Sequence, residues 1–114
     1  MRRNEKIIIF LIITAIITGC SGNSGGLTIK HGILTVGVEM GYPPMEYLAE
    51  DGITPVGFDI SLAKAIADKM GLNVQFADTA WEGIFAGINT GKYDCIISSV
   101  TILPERLLAF QVHA

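Results

Sequence analysis

Beyond its first two dozen residues, the chain alternates between apolar runs of two different periods. "ILTVGV" (residues 33–38) is apolar at almost every position, the pattern of a strand buried on both faces, as parallel strands are. "GFDISLAKAIADKMG" (57–71) repeats instead at helical spacing, with Leu62, Ala63, Ile66 and Met70 forming one apolar stripe. Asp59 is placed to cap that helix, and Gly71 falls where left-handed backbone ends one. "NVQFAD" (73–78) reads as a second short strand. A second helix carries Trp81, Ile84, Phe85 and Ile88 at i, i+3, i+4 and i+7, opened by Thr79 and Glu82 in capping-box spacing and closed by Gly91. Gly83 and Gly87 inside it each cost about 1 kcal/mol relative to alanine, which implies close packing against a sheet. "YDCIIS" (93–98) is the third strand.

Strand, helix, strand, helix, strand predicts an α/β fold with an open, mainly parallel sheet flanked by helices. In such sheets ligands sit beyond the carboxyl ends of the strands. Two segments lie there. One is the loop 41–47, whose paired Pro43 and Pro44 exclude helix and ladder pairing; the other is 98–106.

The front of the chain differs in kind. Arg2, Arg3 and Lys6 precede an apolar run at 7–18 that contains seven isoleucines and has no polar face for a soluble helix to turn outward. The run is shorter than the roughly 20 residues a bilayer span requires, but it suits the apolar region of an export signal. "ITGC" at its end resembles the lipobox of bacterial lipoproteins, a resemblance that implies cleavage before Cys20 and lipidation of its thiol. "SGNSGG" (21–26) is a flexible tether. The expected organisation is a lipoprotein signal peptide at 1–19, a lipidated cysteine and tether at 20–31, and one folded domain at 32–114. The expected location is the cell envelope, exported and anchored to a membrane.

Charge narrows the partners. The whole chain carries 8 basic and 11 acidic residues, and without 1–19 it is left with five and ten, a net charge of −5. No basic run remains, which argues against nucleic acid as a partner. With Cys20 committed to lipid, Cys95 has no disulfide partner and reads as a small core hydrophobe. The only histidines are His31 and His113, and neither a metal nor a cofactor is expected.

The candidate chemistry lies in "ISSVTILPER" (97–106). Ser98, Ser99 and Thr101 supply hydroxyls that donate and accept. Pro104 suits the first turn of a helix, whose free N–H groups favour an anion. Arg106 supplies a planar fork that grips a carboxylate through two parallel hydrogen bonds. Tyr42 and Trp81 each lie just past a predicted strand on the same sheet edge, and each is able to pack on a ligand's aliphatic stem or cationic head.

Taken together, "LTVGVEMGYPPMEYL", "GFDISLAKAIADKMGL" and "WEGIFAGINTGKYDCIISSVTILPER" resemble the family-3 extracellular solute-binding proteins, receptors of polar amino-acid ABC importers, from about residue 33 to 110. The resemblance implies a periplasmic-binding-protein-like fold of two α/β lobes that close on an amino acid. It makes residues 32–114 a partial solute-binding domain, the first lobe of a truncated receptor, with an ABC permease as partner. It assigns Tyr42 and Trp81 to the two flanks of the ligand. Ser98, Ser99 and Thr101 correspond to contacts with the α-carboxylate and α-ammonium, and Arg106 to the carboxylate anchor. Leu103 departs from the family pattern, where threonine is usual, which weakens the helix start. A binding protein rather than an enzyme is expected. The alternatives are an enzyme on the same fold (a prearomatic acid dehydratase, or an accessory domain of a murein-cleaving enzyme) and the sensor domain of a membrane kinase.

Overall fold

A computed structural model describes residues 26–111. The leader 1–19, Cys20 and the front of the tether lie outside the described residues. The order is β1 (Ile33–Val38), β2 (Tyr47–Leu48), β3 (Pro55–Val56), α1 (Phe58–Met70), β4 (Asn73–Asp78), α2 (Trp81–Asn89), β5 (Cys95–Ile96) and α3 (Pro104–Ala109). The main sheet is parallel, in the order β4-β1-β5, and β2 and β3 form a separate antiparallel pair. The expected α/β architecture is therefore observed.

β1 is central, and of the three strands it alone is buried on both faces. Val36 and Val38 are fully buried, and with Leu34 they meet Ile60, Ala63 and Ala67 of α1. Gly37 points the other way, as strand alternation requires. There a Cβ would stand 2.7 Å from the Tyr93 ring, and one on Gly87 would strike the Tyr93 hydroxyl. Tyr93 is buried, and its hydroxyl donates to the Ile84 carbonyl. This accounts for Gly87 as close packing; a Cβ on Gly83 would meet only ordinary contact, so packing does not explain it.

Three local expectations are corrected. The α1 stripe that faces the core is Ile60, Ala63 and Ala67, while Leu62, Ile66 and Met70 remain exposed. Small alanines let the helix approach the sheet, so the larger side chains point away. Asp59 is not the N-cap: Gly57 is, with φ 123°, and Asp59 lies buried one position inside the first turn. The capping box also fails. Ala80 is the N-cap of α2, and Thr79 Oγ1 donates to the Ala77 carbonyl instead. The start of α2 is served from a distance, where the Trp81 amide donates to Glu39 Oε1 at 3.1 Å. Gly71 ends α1 in left-handed backbone, as the sequence predicts, with its amide on Asp68 O and that of Leu72 on Ala67 O.

Cys95 packs against the core cluster, and burial followed by the neighbouring Asp94 charge pushes its thiol up to about 11. Such a thiol stays protonated at neutral pH and behaves as a small hydrophobe.

Candidate functional site

After β1 the chain crosses to β4 on one side, then returns past β1 to β5 on the other. The loops leaving β1 and β5 therefore diverge, and a crevice opens between them at the carboxyl ends of the strands. A cleft of about 390 Å³ occupies this point. Its lining comes from three places: Glu39 to Tyr42 with Glu46 after β1, Trp81 at the start of α2, and Ser98 with Ser99 after β5.

The loop after β1 is folded onto itself. The amides of Gly41 and Tyr42 both donate to the Glu46 carbonyl, at 3.1 and 2.8 Å, and the Met45 amide donates back to Tyr42 at 2.8 Å. That arrangement holds Tyr42 60% exposed at the rim and turns Glu46 inward, 2% exposed. Gly57 makes the turn possible, because a Cβ there would collide with the Met45 carbonyl.

Buried Ser98 is held from two sides. Its hydroxyl donates to Glu46 Oε1 at 2.5 Å and accepts from the Glu39 amide at 3.1 Å. Ser99 takes left-handed backbone, φ 45°, and its hydroxyl donates to Asp59 Oδ2 at 2.8 Å. Burial, then the charges of Asp59 and Glu39, push the Glu46 carboxyl above its ordinary value, while the Ser98 and Glu39 hydrogen bonds pull the other way.

Thr101 and Arg106 stand apart from the lining. Thr101 is exposed, and its carbonyl accepts from Arg106 Nη1 at 2.8 Å. The Arg106 guanidinium lies 5.4 Å from the Trp81 ring centre and 5.0 Å from that of Phe85. Phe85 packs edge-on to Trp81 and against Phe110. α3 has Pro104 in its first turn, but Leu103 offers no side-chain cap, in keeping with the weak start expected of that residue.

Four of the six expected ligand contacts, Tyr42, Trp81, Ser98 and Ser99, thus share one cleft, while Thr101 and Arg106 sit beside it on the arm leading into α3. Sequence reasoning missed the carboxylates Glu39, Glu46 and Asp59. The signal was present for the first two: Glu39 directly follows a strand end, and Glu46 is an acid set between Met45 and Tyr47 in a loop beyond the same strand. Among the described residues, no group of three His, Cys, Asp or Glu is placed to hold a metal, and no helix is long and apolar enough to cross a membrane.

A model of the bacterial extracellular solute-binding proteins, family 3, matches residues 34–113. The chain belongs to this family. The arginine-binding extracellular protein ArtP of Bacillus subtilis is 31% identical over 106 residues, which are 93% of this chain and 41% of ArtP. The L-cystine-binding protein TcyA of the same organism is 37% identical over 71 residues, 62% of this chain and 26% of TcyA. Among solved structures, the arginine-bound form of domain 1 from TmArgBP superposes with a TM-score of 0.65 at 40% identity, covering 68% of this chain and 60% of that one. The chain thus spans about a quarter to two fifths of the length of these two curated relatives.

Proposed function

We propose that this chain is an amino-acid-holding lobe of the receptor for an ABC importer. The observation that carries the reading is the cleft at the divergence of β1 and β5, where an exposed tyrosine and a tryptophan flank the hydroxyls of buried Ser98 and exposed Ser99 and the carboxylates of half-buried Glu39 and buried Glu46. An amino acid needs an apolar flank for its stem and fixed polar groups for its charged ends, and such a lining supplies both. The relatives named for arginine and for cystine make these two ligands the first to try.

Arg106 anchors the α-carboxylate in this reading. From its place over Trp81 it swings toward the cleft mouth, where two parallel bonds to a carboxylate replace one bond to the Thr101 carbonyl. Trp81 is the sole tryptophan, so its fluorescence reports occupancy directly. Titration of this chain with a panel of amino acids should perturb its emission; the cleft formed by the described residues alone leaves one ligand face in water, for which a Kd near millimolar, about −4.1 kcal/mol, is expected. An emission unmoved by every amino acid would refute the reading.

Binding without turnover is part of the proposal. Glu39 already accepts the Trp81 amide and Glu46 the Ser98 hydroxyl, which fits holding better than proton transfer. Conversion of a prearomatic acid by the purified chain would overturn it and favour the dehydratase alternative. The proposal also anchors the chain to a membrane through Cys20 and pairs it with a permease, on the strength of the basic head, apolar run and "ITGC" of the leader. Metabolic labelling with a fatty acid should mark the chain and fail on Cys20→Ala; equal labelling of both would remove the anchor.

A further inference from the structure

Three consecutive residues at the end of β1 gather the rest of the cleft. The Val38 carbonyl accepts from the Thr79 amide at 2.8 Å, and the Met40 amide donates to Asp78 Oδ1 at 3.0 Å, so the outer two are tied to the end of β4. Glu39, between them, reaches the other walls. Its amide donates to Ser98 Oγ after β5, and its side chain crosses to α2, where Oε1 accepts from the Trp81 amide, both at 3.1 Å. Among the residues that line the cleft, Glu39 alone is hydrogen-bonded both to the serine wall and to the tryptophan wall.

The helix needs that bond. The first N–H groups of an α-helix have no partner inside it. Ala80, in the capping position of α2, has no side-chain acceptor, and Thr79 Oγ1 is turned to the Ala77 carbonyl. Trp81 is the first residue of α2, so fixing its amide fixes the backbone from which the indole projects. The same ring bears the Arg106 guanidinium and the edge of Phe85, and any displacement of it reaches the carboxylate anchor as well.

We infer that Glu39 is a positioning residue for binding: it caps α2 from across the cleft, and so fixes the tryptophan wall at the distance from the serine wall that an amino acid fits. The inference rests on the receptor reading above and adds how the two walls are held together. The role asks Glu39 for reach and an acceptor oxygen, not for charge. Neutral serine and asparagine cap helices as well as aspartate does, because an N-cap acts through its acceptor.

Two conservative variants separate reach from charge. Glu39→Gln keeps the length and an acceptor oxygen without the charge. Glu39→Asp keeps the charge but is one methylene, about 1.5 Å, shorter, too short for a 3.1 Å bond to survive. The full chain is titrated with arginine by NMR, following the indole N–H of Trp81, the sole tryptophan. Glu39→Asp should move and broaden that resonance in the ligand-free chain and weaken binding about tenfold, the scale of a lost cap. Glu39→Gln should hold the resonance near its wild-type position and weaken binding no more than about twofold, since a neutral oxygen accepts less strongly than a carboxylate. Adding Ala80→Ser to Glu39→Asp gives α2 a local cap and should restore most of the affinity. Ala80 is exposed, with φ −56° and ψ 144°, backbone that a capping serine adopts.

The reverse order, with Gln weak and Asp near wild type, would give Glu39 a charge contact with the ligand and overturn the inference. Equal losses in both variants overturn it too, as does an Asp variant whose lost affinity Ala80→Ser does not recover. An Asp variant that matches the wild type in resonance and affinity removes the positioning role outright. A wild type that answers to no amino acid overturns the receptor reading, and this inference with it.

Discussion

The two halves of "SSVTILPER" are neighbours in sequence and unlike in structure. Ser98 and Ser99 are tied to carboxylates 52 and 40 residues away, Glu46 on the loop after β1 and Asp59 on α1. Thr101 and Arg106 are tied mainly to each other, and α3, which carries Arg106, buries no residue. The first pair belongs to the framework; the second rides on an arm that rests on the aromatic faces of Trp81 and Phe85. One motif therefore contains a rigid part and an adjustable part. Distant partners, not local pattern, separate them. A site that must both recognise a ligand and respond to it uses each kind where it serves best.

The strongest way to break this contrast is to dislodge the framework half at its root. Gly57 has φ 123°, and a Cβ there would collide with the Met45 carbonyl, beside the Glu46 amide at 2.9 Å. The same junction ties the loop to α1, since the Phe58 and Asp59 amides donate to Pro44 and Met45 at 3.1 and 2.9 Å. Gly57→Ala should cost about 3 kcal/mol, from overpacking of about 1–3 kcal/mol added to backbone strain of similar size. Urea denaturation measures this, and a wild-type midpoint would show the loop to be as pliable as the α3 arm.

Protonation of Glu46 tests the same half more gently. Its folded-state value is raised above the ordinary 4.5, so the native state takes up a proton before the unfolded state does. Stability from this group is thus fully present below 4.5 and is lost as pH rises through the folded value. Glu46→Gln removes that dependence. The variant should be more stable than wild type by about 1 kcal/mol at pH 7, the scale of one buried unpartnered acceptor, and this advantage should vanish near pH 4. Denaturation midpoints of both proteins across pH 4–8 give the difference curve. A flat difference would mean that Glu46 is not strained by its burial.

How much of this was legible in the sequence divides along the same line. β1, β4 and the extents of α1 and α2 follow from period alone, and the position of Gly71 follows from backbone preference. The aromatic and serine residues that line the cleft were legible because they sit at strand ends. What period could not show was which of two apolar rows on α1 faces inward. Leu62, Ile66 and Met70 form the larger row, yet Ala63 and Ala67 sit against the sheet, because closeness of packing rather than hydrophobicity decides. Nor could spacing show that a carboxylate 42 residues away would serve the start of α2 in place of Thr79, or that Glu46 would meet Ser98. Such pairings exist only once three loops converge on one sheet edge.

The adjustable half offers the smallest effect on the fold and a separate effect on binding. Arg106 contacts Trp81 and Phe85 only through ring faces and makes one hydrogen bond to the Thr101 carbonyl. Cation–π contacts at exposed sites contribute about 0.5–1 kcal/mol, against which an immobilised arginine loses rotamer entropy of comparable size. Arg106→Ala should therefore shift stability by no more than about 0.5 kcal/mol, the range of surface substitutions. The Trp81 emission of the ligand-free variant should change, because a cation leaves its ring. Amino-acid binding should weaken about tenfold or more, since a hydrogen bond to a charged group contributes about 1.5–3 kcal/mol. Replacement by Lys keeps the charge but not the fork, and should recover only part of the loss. Denaturation and fluorescence titration of the three proteins separate these effects. A large loss of stability in Arg106→Ala would place α3 in the framework after all, and binding indifferent to the substitution would take the carboxylate from Arg106 and leave it to the cleft itself.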